Sequence, residues 1–461
     1  YVHITDDELT PTLTYSMPAN GIHYSSCNLK MLSLLNESKP DVFCQAFPSA
    51  KTSWLREVYY IECKDSLFGE KLKLSFGDKI PLIEYLCEPQ LTLSPNDPLI
   101  PDQSQFSLTE QNEAWEYYFD LEKVPIGITD TYFDLSHEDL DFIGVQGSNL
   151  PYYKPQHGNL VSGMAAAKTN NNLGIASVGY DTRIYGSSNW GSDSEVLNLV
   201  EQGYKVINCS WLNNCFYSAI QEALYNEIRN VWDAVVVFGA GNSHCGNPSN
   251  YCYPASYDVN ISVTSVTHTS TDPDAHERTI GDTTTTYQHN DAVDICAHGY
   301  GVRSCDVMGA GGVDPGNYTW GWGTSFAAPQ VAATLAAIFT INPCLTANEA
   351  EDILLDAADA SILSYSYNTY YTAKLGTGRL NVLDAVKGAA ESATTYFEDE
   401  TLSSSQTTET LFGISFDNVT ISSGTHTFRT RKEISINGNF QINSGVTCTF
   451  DVDVSNIISC Y

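Results

Sequence analysis

The chain has 461 residues, of which 42% are hydrophobic and only 17% are charged. Acidic residues outnumber basic ones by 55 to 22, and the formal net charge of −33 argues against nucleic acid or an anionic membrane as a partner. The length predicts two or three domains. No apolar run looks long enough to span a membrane. The missing leader predicts a secreted or cell-surface protein whose signal peptide has been removed.

Thirteen cysteines indicate an oxidising compartment if most of them are paired. No CxxC pair and no HExxH motif occurs, which argues against a zinc site. Connectivity cannot be read from sequence, but close spacing suggests the bridges Cys245–Cys252 and Cys296–Cys305, and a pairing across neighbouring predicted strands suggests Cys63–Cys87. An odd count leaves at least one thiol without an intrachain partner.

Residues 1–93 predict a small α+β domain. A helix is predicted at 29–38, a strand rich in β-branched and aromatic residues at 57–63, a second helix at 66–76 and a second strand at 80–89. A linker rich in Pro and Asp follows this domain.

In the middle of the chain, polar residues stand at the ends of apolar segments. The run VPIGITD ends in Asp130, VVVFGAGN ends in Asn242, and the small-residue helix HGNLVSGMAAA begins at His157. Further strands are predicted at 182–185, 206–210 and 235–238, with helices at 195–202 and 219–231. Alternating strands and helices predict right-handed crossovers and a mainly parallel sheet, whose strand ends are where such folds place their sites.

The stretch GTSFAAPQVAATLAAIF (323–339) predicts a buried helix with little side-chain bulk. Ser325 lies near its start, at the positive end of the helix dipole, and we expect Pro329 in the first turn, where proline is tolerated. Taken alone, Ser325 is better explained as an N-cap residue than as a nucleophile.

Four blocks taken together change that interpretation. DTYFDLSHEDL, HGNLVSG, GAGN and GTSFAAP occur in this order, and the chain between about 95 and 390 resembles the subtilisin-like serine proteases, or subtilases. Their patterns are D-T-G-x-D-x-x-H-P-D-L, H-G-T-H-V-A-G, A-A-G-N and G-T-S-M-A-x-P, with the same Asp, His, Ser order. The resemblance implies an α/β, three-layer subtilisin-like fold with a mainly parallel central sheet.

The resemblance also implies a catalytic role for each matching residue. Ser325 would be the nucleophile, His157 the general base, Asp130 the group that orients the imidazole, and Asn242 the side-chain donor of the oxyanion hole. Each residue alone has a structural explanation: a helix-start histidine, a loop-capping acid, a turn asparagine. Four such coincidences in family order are improbable.

The stretch NCSWLNN (208–214) is similar to the family's N-x-S-L-G-G strand, which pairs with the bound peptide. This similarity implies that Ser210, Trp211 and Leu212 bind substrate. Trp211 and Leu212 replace the usual Leu and Gly, which would narrow the S1 pocket or change its depth. The alternative for Trp211 is that it packs in the core.

Three oxygen-bearing residues match the family's structural calcium site. Asp97 lies in PNDP, Asp139 in the first block, and Asn171 in the loop KTNNNLGI. Carboxylate, amide and carbonyl oxygens suit Ca²⁺. The alternative is that three consecutive asparagines simply form a turn.

The two ends of the chain suggest accessory regions. The resemblance implies that the N-terminal domain is an inhibitory prodomain, the alternative being an accessory domain unrelated to inhibition. From about residue 401, period-two patterning broken by Ser-Gly and Asn-Gly predicts short antiparallel strands in a β appendage for retention, binding or stability. The predicted domains are 1–93, 94–395 and 396–461.

These observations predict a secreted, calcium-stabilised serine endopeptidase that hydrolyses proteins or peptides and that its own N-terminal domain inhibits. Two alternatives stay open. One is a peptide ligase or macrocyclase of the same fold, and the other is a catalytically silent surface-binding protein.

Overall fold

The structure is a computed structural model that describes residues 2–6, 9–15, 22–26, 28–40, 42–46, 51–63, 65, 67–83, 94–151, 156–269, 277–279, 287–444 and 446–452. The chain divides into two compact units, Tyr1–Leu91 and Thr92–Tyr461. Each unit has a hydrophobic core of its own. The three-domain division of the chain stays a prediction.

The first unit, Tyr1–Leu91, has six described strands and two helices: β1 Val2–His3, β2 Thr12–Tyr15, β3 Ile22–Ser25, α1 Leu29–Ser38, β4 Val42–Gln45, β5 Val58–Glu62, α2 Phe68–Phe76 and β6 Leu82–Ile83. Strands β4, β5, β1 and β6 form an antiparallel sheet in that order. Met31 on α1 and Leu72 on α2 are fully buried in the core of the unit. Both predicted helices and the first predicted strand are confirmed. Residues 84–89 of the second predicted strand lie outside the described part.

In the second unit, the elements up to the end of the α/β region are α3 Gln111–Trp115, β7 Ile126–Thr129, β8 Phe142–Gln146, α4 His157–Ala166, β9 Ile184–Ser187, α5 Asp193–Glu201, β10 Val206–Cys209, α6 Ala219–Asn230, β11 Val235–Gly239, β12 Ile261–Val266, β13 Ile295–His298, β14 Tyr300–Cys305, β15 Tyr318–Trp322, α7 Thr324–Ile341, α8 Ala347–Asp356, α9 Ser361–Ser364 and α10 Val382–Ser392.

A seven-stranded sheet organises this unit, in the order β13-β12-β11-β10-β7-β9-β8. Every pair of neighbouring strands in it is parallel. The central strands β7, β10 and β11 are buried along their whole length, as expected for apolar runs covered by helices on both faces. The predicted α/β fold with a mainly parallel central sheet is confirmed.

Helix α7 is the central helix of the core, and all of its residues are buried. Alanines along its length let the sheet and neighbouring helices approach closely. By length and composition this helix could cross a membrane, so the expectation that no apolar run is long enough was wrong. Its complete burial shows that its apolar character serves packing against the sheet.

The C-terminal strands of the second unit are β16 Thr394–Glu398, β17 Thr401–Leu402, β18 Gln406–Thr410, β19 Gly413–Ile421, β20 Thr425–Thr430, β21 Glu433–Ile442 and β22 Thr447–Asp451. The predicted antiparallel arrangement was wrong, because every pairing among these strands is parallel. The chain coils: Ile414 pairs with Ile434, and Thr407 with Thr427, each 20 residues further along. This region is therefore a short β-solenoid.

The solenoid is held together by stacked aromatic rings between its coils. Phe397 stacks on Phe416 with ring centroids 5.1 Å apart, and Phe428 stacks on Phe450 at 5.4 Å. Phe412, at its base, belongs to the main core of the unit and stacks on Tyr117. The solenoid is thus packed onto the α/β region rather than tethered by a linker.

The disulfide pattern differs from the predicted one. Cys245 is bonded to Cys215, with Cα atoms 5.4 Å apart, whereas Cys252, Cys296 and Cys305 are buried free thiols. The bridge joins the segments that follow two neighbouring parallel strands, β10 and β11, so the partners are close in space but 30 residues apart in sequence. Burial raises the pKa of the Cys252 thiol to about 11. The proposed Cys63–Cys87 pair involves residue 87, which lies outside the described residues.

Candidate active site

The carboxyl ends of three neighbouring strands meet at one edge of the central sheet. Thr129 on β7 pairs with Cys209 on β10, and Cys209 pairs with Phe238 on β11. Because these pairs lie in register, the residues that follow each strand emerge at the same level. Asp130, Ser210 and the Gly-Ala-Gly-Asn turn are therefore brought together by the topology.

Asp130 and His157 form a hydrogen-bonded pair at this edge. The imidazole Nδ1 lies 2.8 and 3.0 Å from the two carboxylate oxygens of Asp130. Asp130 is completely buried and also accepts the backbone N–H of Thr131 at 2.7 Å, so its orientation is fixed from two sides. The His157 side chain is 17% exposed and faces the cleft. A carboxylate bound to Nδ1 holds the ring so that Nε2 is free to accept a proton.

Ser325 is the second residue of α7, which begins after Gly323 at a φ of 137°. The Ser325 hydroxyl donates to the Ser210 carbonyl at 3.3 Å, and the Ser210 hydroxyl donates to the Ser325 carbonyl at 2.9 Å. These two hydrogen bonds hold the end of β10 against the start of α7. They place the Ser325 hydroxyl at the cleft.

Pro329 explains why the Ser325 carbonyl needs this partner. It is the sixth residue of α7 rather than a first-turn residue, so that expectation was wrong. Lacking an N–H, Pro329 cannot bond the carbonyl four residues back, which belongs to Ser325. The Ser210 hydroxyl satisfies the orphaned carbonyl instead. Sequence reasoning missed this link between Ser210 and Pro329, although the spacing of Ser325 and Pro329 carried the signal.

Asn242 is oriented by the start of the same helix. Its Oδ1 accepts the Thr324 backbone N–H at 3.0 Å and the Thr324 hydroxyl at 3.2 Å. Because Oδ1 is engaged, the amide's Nδ2 is the group left to donate into the cleft. A Cβ on Gly323 would lie 3.1 Å from that nitrogen, so glycine leaves room for the amide.

Three of these four residues, His157, Asn242 and Ser325, line one cleft of about 250 Å³. Its lining consists of Thr131, His157, Trp190, Ser210, Trp211, Leu212, Gly239, Gly241, Asn242, His244, Thr324 and Ser325. Asp130 stands behind His157, outside the lining. Trp190 and His244 were not singled out from the sequence, since a lone Trp and a lone His in loops carry no pattern.

The predicted substrate-binding residues divide between cleft and core. The Trp211 side chain is buried, packs edge-on against Phe238, and donates its indole N–H to Thr129. Only its backbone can therefore face a ligand. The Leu212 side chain lines the cleft and lies against Gly241.

The predicted calcium ligands also come together. Asp97 accepts the backbone N–H groups of Asn170 and Asn171 at 2.7 and 3.2 Å, and the Asn171 side chain donates to Asp139 at 2.7 Å. Burial, with the nearby charge of Asp97, raises the pKa of Asp139 to about 6. In the described part of the chain neither carboxylate forms an ion pair with Lys or Arg.

Two buried carboxylates without a cationic side chain are a donor set that fits a bound Ca²⁺. Among the described residues there is no cluster of three or more His, Cys, Asp or Glu side chains suited to a metal. A cation here would therefore rely on the two carboxylates together with amide and backbone carbonyl oxygens.

Fold and site geometry together define a class: a parallel α/β protein with an Asp-His pair, a helix-start serine and an amide donor at one sheet edge. A family model described as the subtilase family, Peptidase S8, matches residues 122–385. The chain belongs to the subtilase family.

Individual known proteins are also similar to this chain. The chain is 28% identical over 283 residues to the thermophilic serine proteinase of Bacillus sp. strain AK1, covering 56% of this chain and 63% of that protein. It is 27% identical over 287 residues to the halolysin-like extracellular serine protease Nep of Natrialba magadii, covering 57% of this chain and 49% of that one. The match thus spans about half to two thirds of these relatives. Among solved structures, a protease from Pseudoalteromonas arctica is similar in fold, with a TM-score of 0.51, 23% identity, and coverage of 64% of this chain and 99% of that one.

Proposed function

We propose that this protein is a serine endopeptidase that hydrolyses peptide bonds through an acyl-enzyme intermediate. The observation that carries the proposal is the meeting of Asp130, His157, Ser325 and Asn242 around one cleft. The chain also belongs to the subtilase family and is similar to the thermophilic serine proteinase of Bacillus, and both findings support the proposal.

In the proposed mechanism, Ser325 attacks the peptide carbonyl while His157 accepts the hydroxyl proton on Nε2. The serine must first turn from the Ser210 carbonyl toward the imidazole, a rotation about one side-chain bond. His157 then donates the proton to the leaving amine, and water, activated by the same imidazole, releases the acyl group. Asp130 stays ionised and stabilises the imidazolium that forms at each step.

The developing oxyanion is stabilised by two donors in this proposal. One is the Asn242 Nδ2, whose orientation follows from the two hydrogen bonds accepted by Oδ1. The other is the backbone N–H of Ser325, in the first turn of α7, where N–H groups have no intrahelical partner. Both donors are held before substrate arrives, so little reorganisation is needed during the reaction.

A fluorophosphonate probe tests the proposed nucleophile. We expect stoichiometric labelling, with the adduct located by peptide mass mapping on Ser325, because only a serine beside a free imidazole and an oxyanion hole reacts readily. The same protein should cleave casein into peptides without crosslinked or cyclised products. Absence of labelling together with intact casein would favour a silent binding protein, and products joined to an added amine would favour a ligase.

The regions outside the α/β body have proposed roles as well. We assign residues 94–395 to catalysis, 396–461 to an appendage, and 1–93 to intramolecular inhibition, supported by the separate core of the first unit. Secretion is supported by the strongly acidic composition, by the Cys215–Cys245 disulfide and by the similarity to the extracellular serine protease Nep.

We also propose that Asp97, Asp139 and Asn171 hold a structural Ca²⁺, which would supply the positive charge that the buried carboxylates lack. Calcium at about 100 times its Kd should then raise the Tm by about 5 °C over protein in EDTA. Differential scanning calorimetry of wild type and Asp139→Asn measures this shift, which the variant should lose.

Asp141→Asn is the matched control for this measurement, because Asp141 is an exposed carboxylate two residues further on. It should keep the full calcium shift. Equal Tm values with calcium and EDTA in the wild type would show that the carboxylates are held by hydrogen bonds alone.

A further inference from the structure

We infer that Leu212 fills the pocket for the substrate side chain next to the cleaved bond, and that the enzyme therefore selects small residues, Gly, Ala or Ser, at this P1 position. The inference rests on the proposed endopeptidase function and names its substrate class.

The place of the P1 side chain follows from the reacting groups. When the acyl carbon is bonded to the Ser325 hydroxyl oxygen and its oxyanion points toward Asn242, the P1 side chain can enter the part of the cleft next to these groups. This part lies between the chain after β10, residues 210–212, and the end of β11 with its turn, residues 239–241. Both segments line the cleft beside Ser325.

Leu212 reaches across this space. A Cβ built on Gly241 would lie 2.8 Å from the Leu212 Cδ1, so the leucine methyl group is already in contact with the opposite wall. The same position is 3.1 Å from the Gln288 Oε1 and 3.4 Å from the Cys252 Sγ. Three side chains from three separate segments therefore close the pocket at Gly241.

The surroundings of Leu212 make this closure rigid. Trp211 is held in the core by its hydrogen bond to Thr129 and its contact with Phe238. This fixes the backbone next to it, from which the Leu212 side chain extends into the cleft. Leu212 is itself partly buried and packs against the same core cluster. Gln288 cannot withdraw easily, because its Oε1 accepts the Ser243 N–H and its Nε2 donates to the Asn247 carbonyl.

A large P1 side chain would have to displace the leucine from packed surroundings, whereas a methyl or hydroxymethyl group needs no such movement. An apolar pocket discriminates by size between substrates that differ by one methylene group, by about 10- to 200-fold in kcat/KM. We therefore expect the wild type to cleave after Ala at least about 10 times more efficiently, in kcat/KM, than after Phe.

The experiment uses the full chain with succinyl-Ala-Ala-Pro-X p-nitroanilides, where X is Ala, Leu or Phe. Leu212→Ala should raise kcat/KM for the Phe substrate by about 10- to 100-fold and change that for the Ala substrate by less than about 3-fold. The matched control is Leu224→Ala, which removes a leucine from the same core cluster on α6 without lining the cleft. It should leave the ratio of the two substrates unchanged.

The outcomes separate the inference from the proposed function. A wild type that cleaves the Phe substrate as efficiently as the Ala substrate overturns the inference and leaves the endopeptidase intact. If Leu212→Ala is too unstable to assay, the wild-type preference decides alone. If the wild type cleaves none of the three substrates faster than Ser325→Ala does, the proposed function and the inference are both overturned.

Discussion

Ser325→Ala is expected to abolish hydrolysis of casein and of every peptide anilide while leaving the fold unchanged. The lost hydroxyl makes only a 3.3 Å bond to the Ser210 carbonyl, so the Tm should move by little. We expect kcat to fall by about 10⁶-fold, a magnitude taken from subtilisin, which belongs to the same family. Stopped assays with concentrated enzyme measure the residual rate.

The control for this variant is Ser162→Ala. Ser162 is also a buried helical serine, on α4, and its hydroxyl has no hydrogen-bond partner among the described residues. It should retain wild-type activity. Casein hydrolysis by Ser325→Ala at the wild-type rate would show that another group is the nucleophile.

The fold of the central unit could be predicted because its signals are local. Apolar runs such as 235–239 predict a strand, and the small-residue stretches predict a helix, from a few neighbouring residues. The alternation of strands and helices then predicts a parallel sheet. The position of the site could be predicted as well, because the carboxyl ends of parallel strands lie at the same edge of the sheet. Thus Asp130 and the Asn242 turn could be placed together without any knowledge of distances.

Other features depend on contacts that no local pattern encodes. The Cys215–Cys245 bridge joins loops after neighbouring strands, and sequence spacing favoured Cys252 instead. The solenoid and an antiparallel sheet share period-two patterning. The signal that separates them is a repeat of about 20 residues, visible in GIS at 413–415 and EIS at 433–435, which was missed.

The orientation of side chains within the site also lay beyond the sequence. Of these two adjacent side chains, Leu212 faces the cleft, whereas Trp211 is buried. Which one does so depends on the Thr129 hydroxyl and the Phe238 ring, both on neighbouring strands. The sequence therefore identified the segment, and only packing identified the residue whose side chain faces the cleft.

Asp130→Asn should lower kcat by about 10⁴-fold at neutral pH while preserving the geometry of the site. In the variant an oxygen stays at the Oδ1 position to accept the Thr131 N–H, so the amide NH₂ takes the place of Oδ2, 3.0 Å from the His157 Nδ1. When this NH₂ donates to Nδ1, the ring proton moves to Nε2. An imidazole protonated at Nε2 cannot take the proton of Ser325.

Two measurements separate this explanation from loss of structure. Nitrogen NMR of labelled histidine should show the His157 proton moving from Nδ1 in the wild type to Nε2 in the variant, with an unchanged Tm. Asp141→Asn, which neutralises an exposed acid, should keep both the wild-type tautomer and the wild-type kcat. If kcat of Asp130→Asn instead stays within about 10-fold of wild type, the carboxylate is not what orients His157, because loss of that orientation costs about 10⁴-fold.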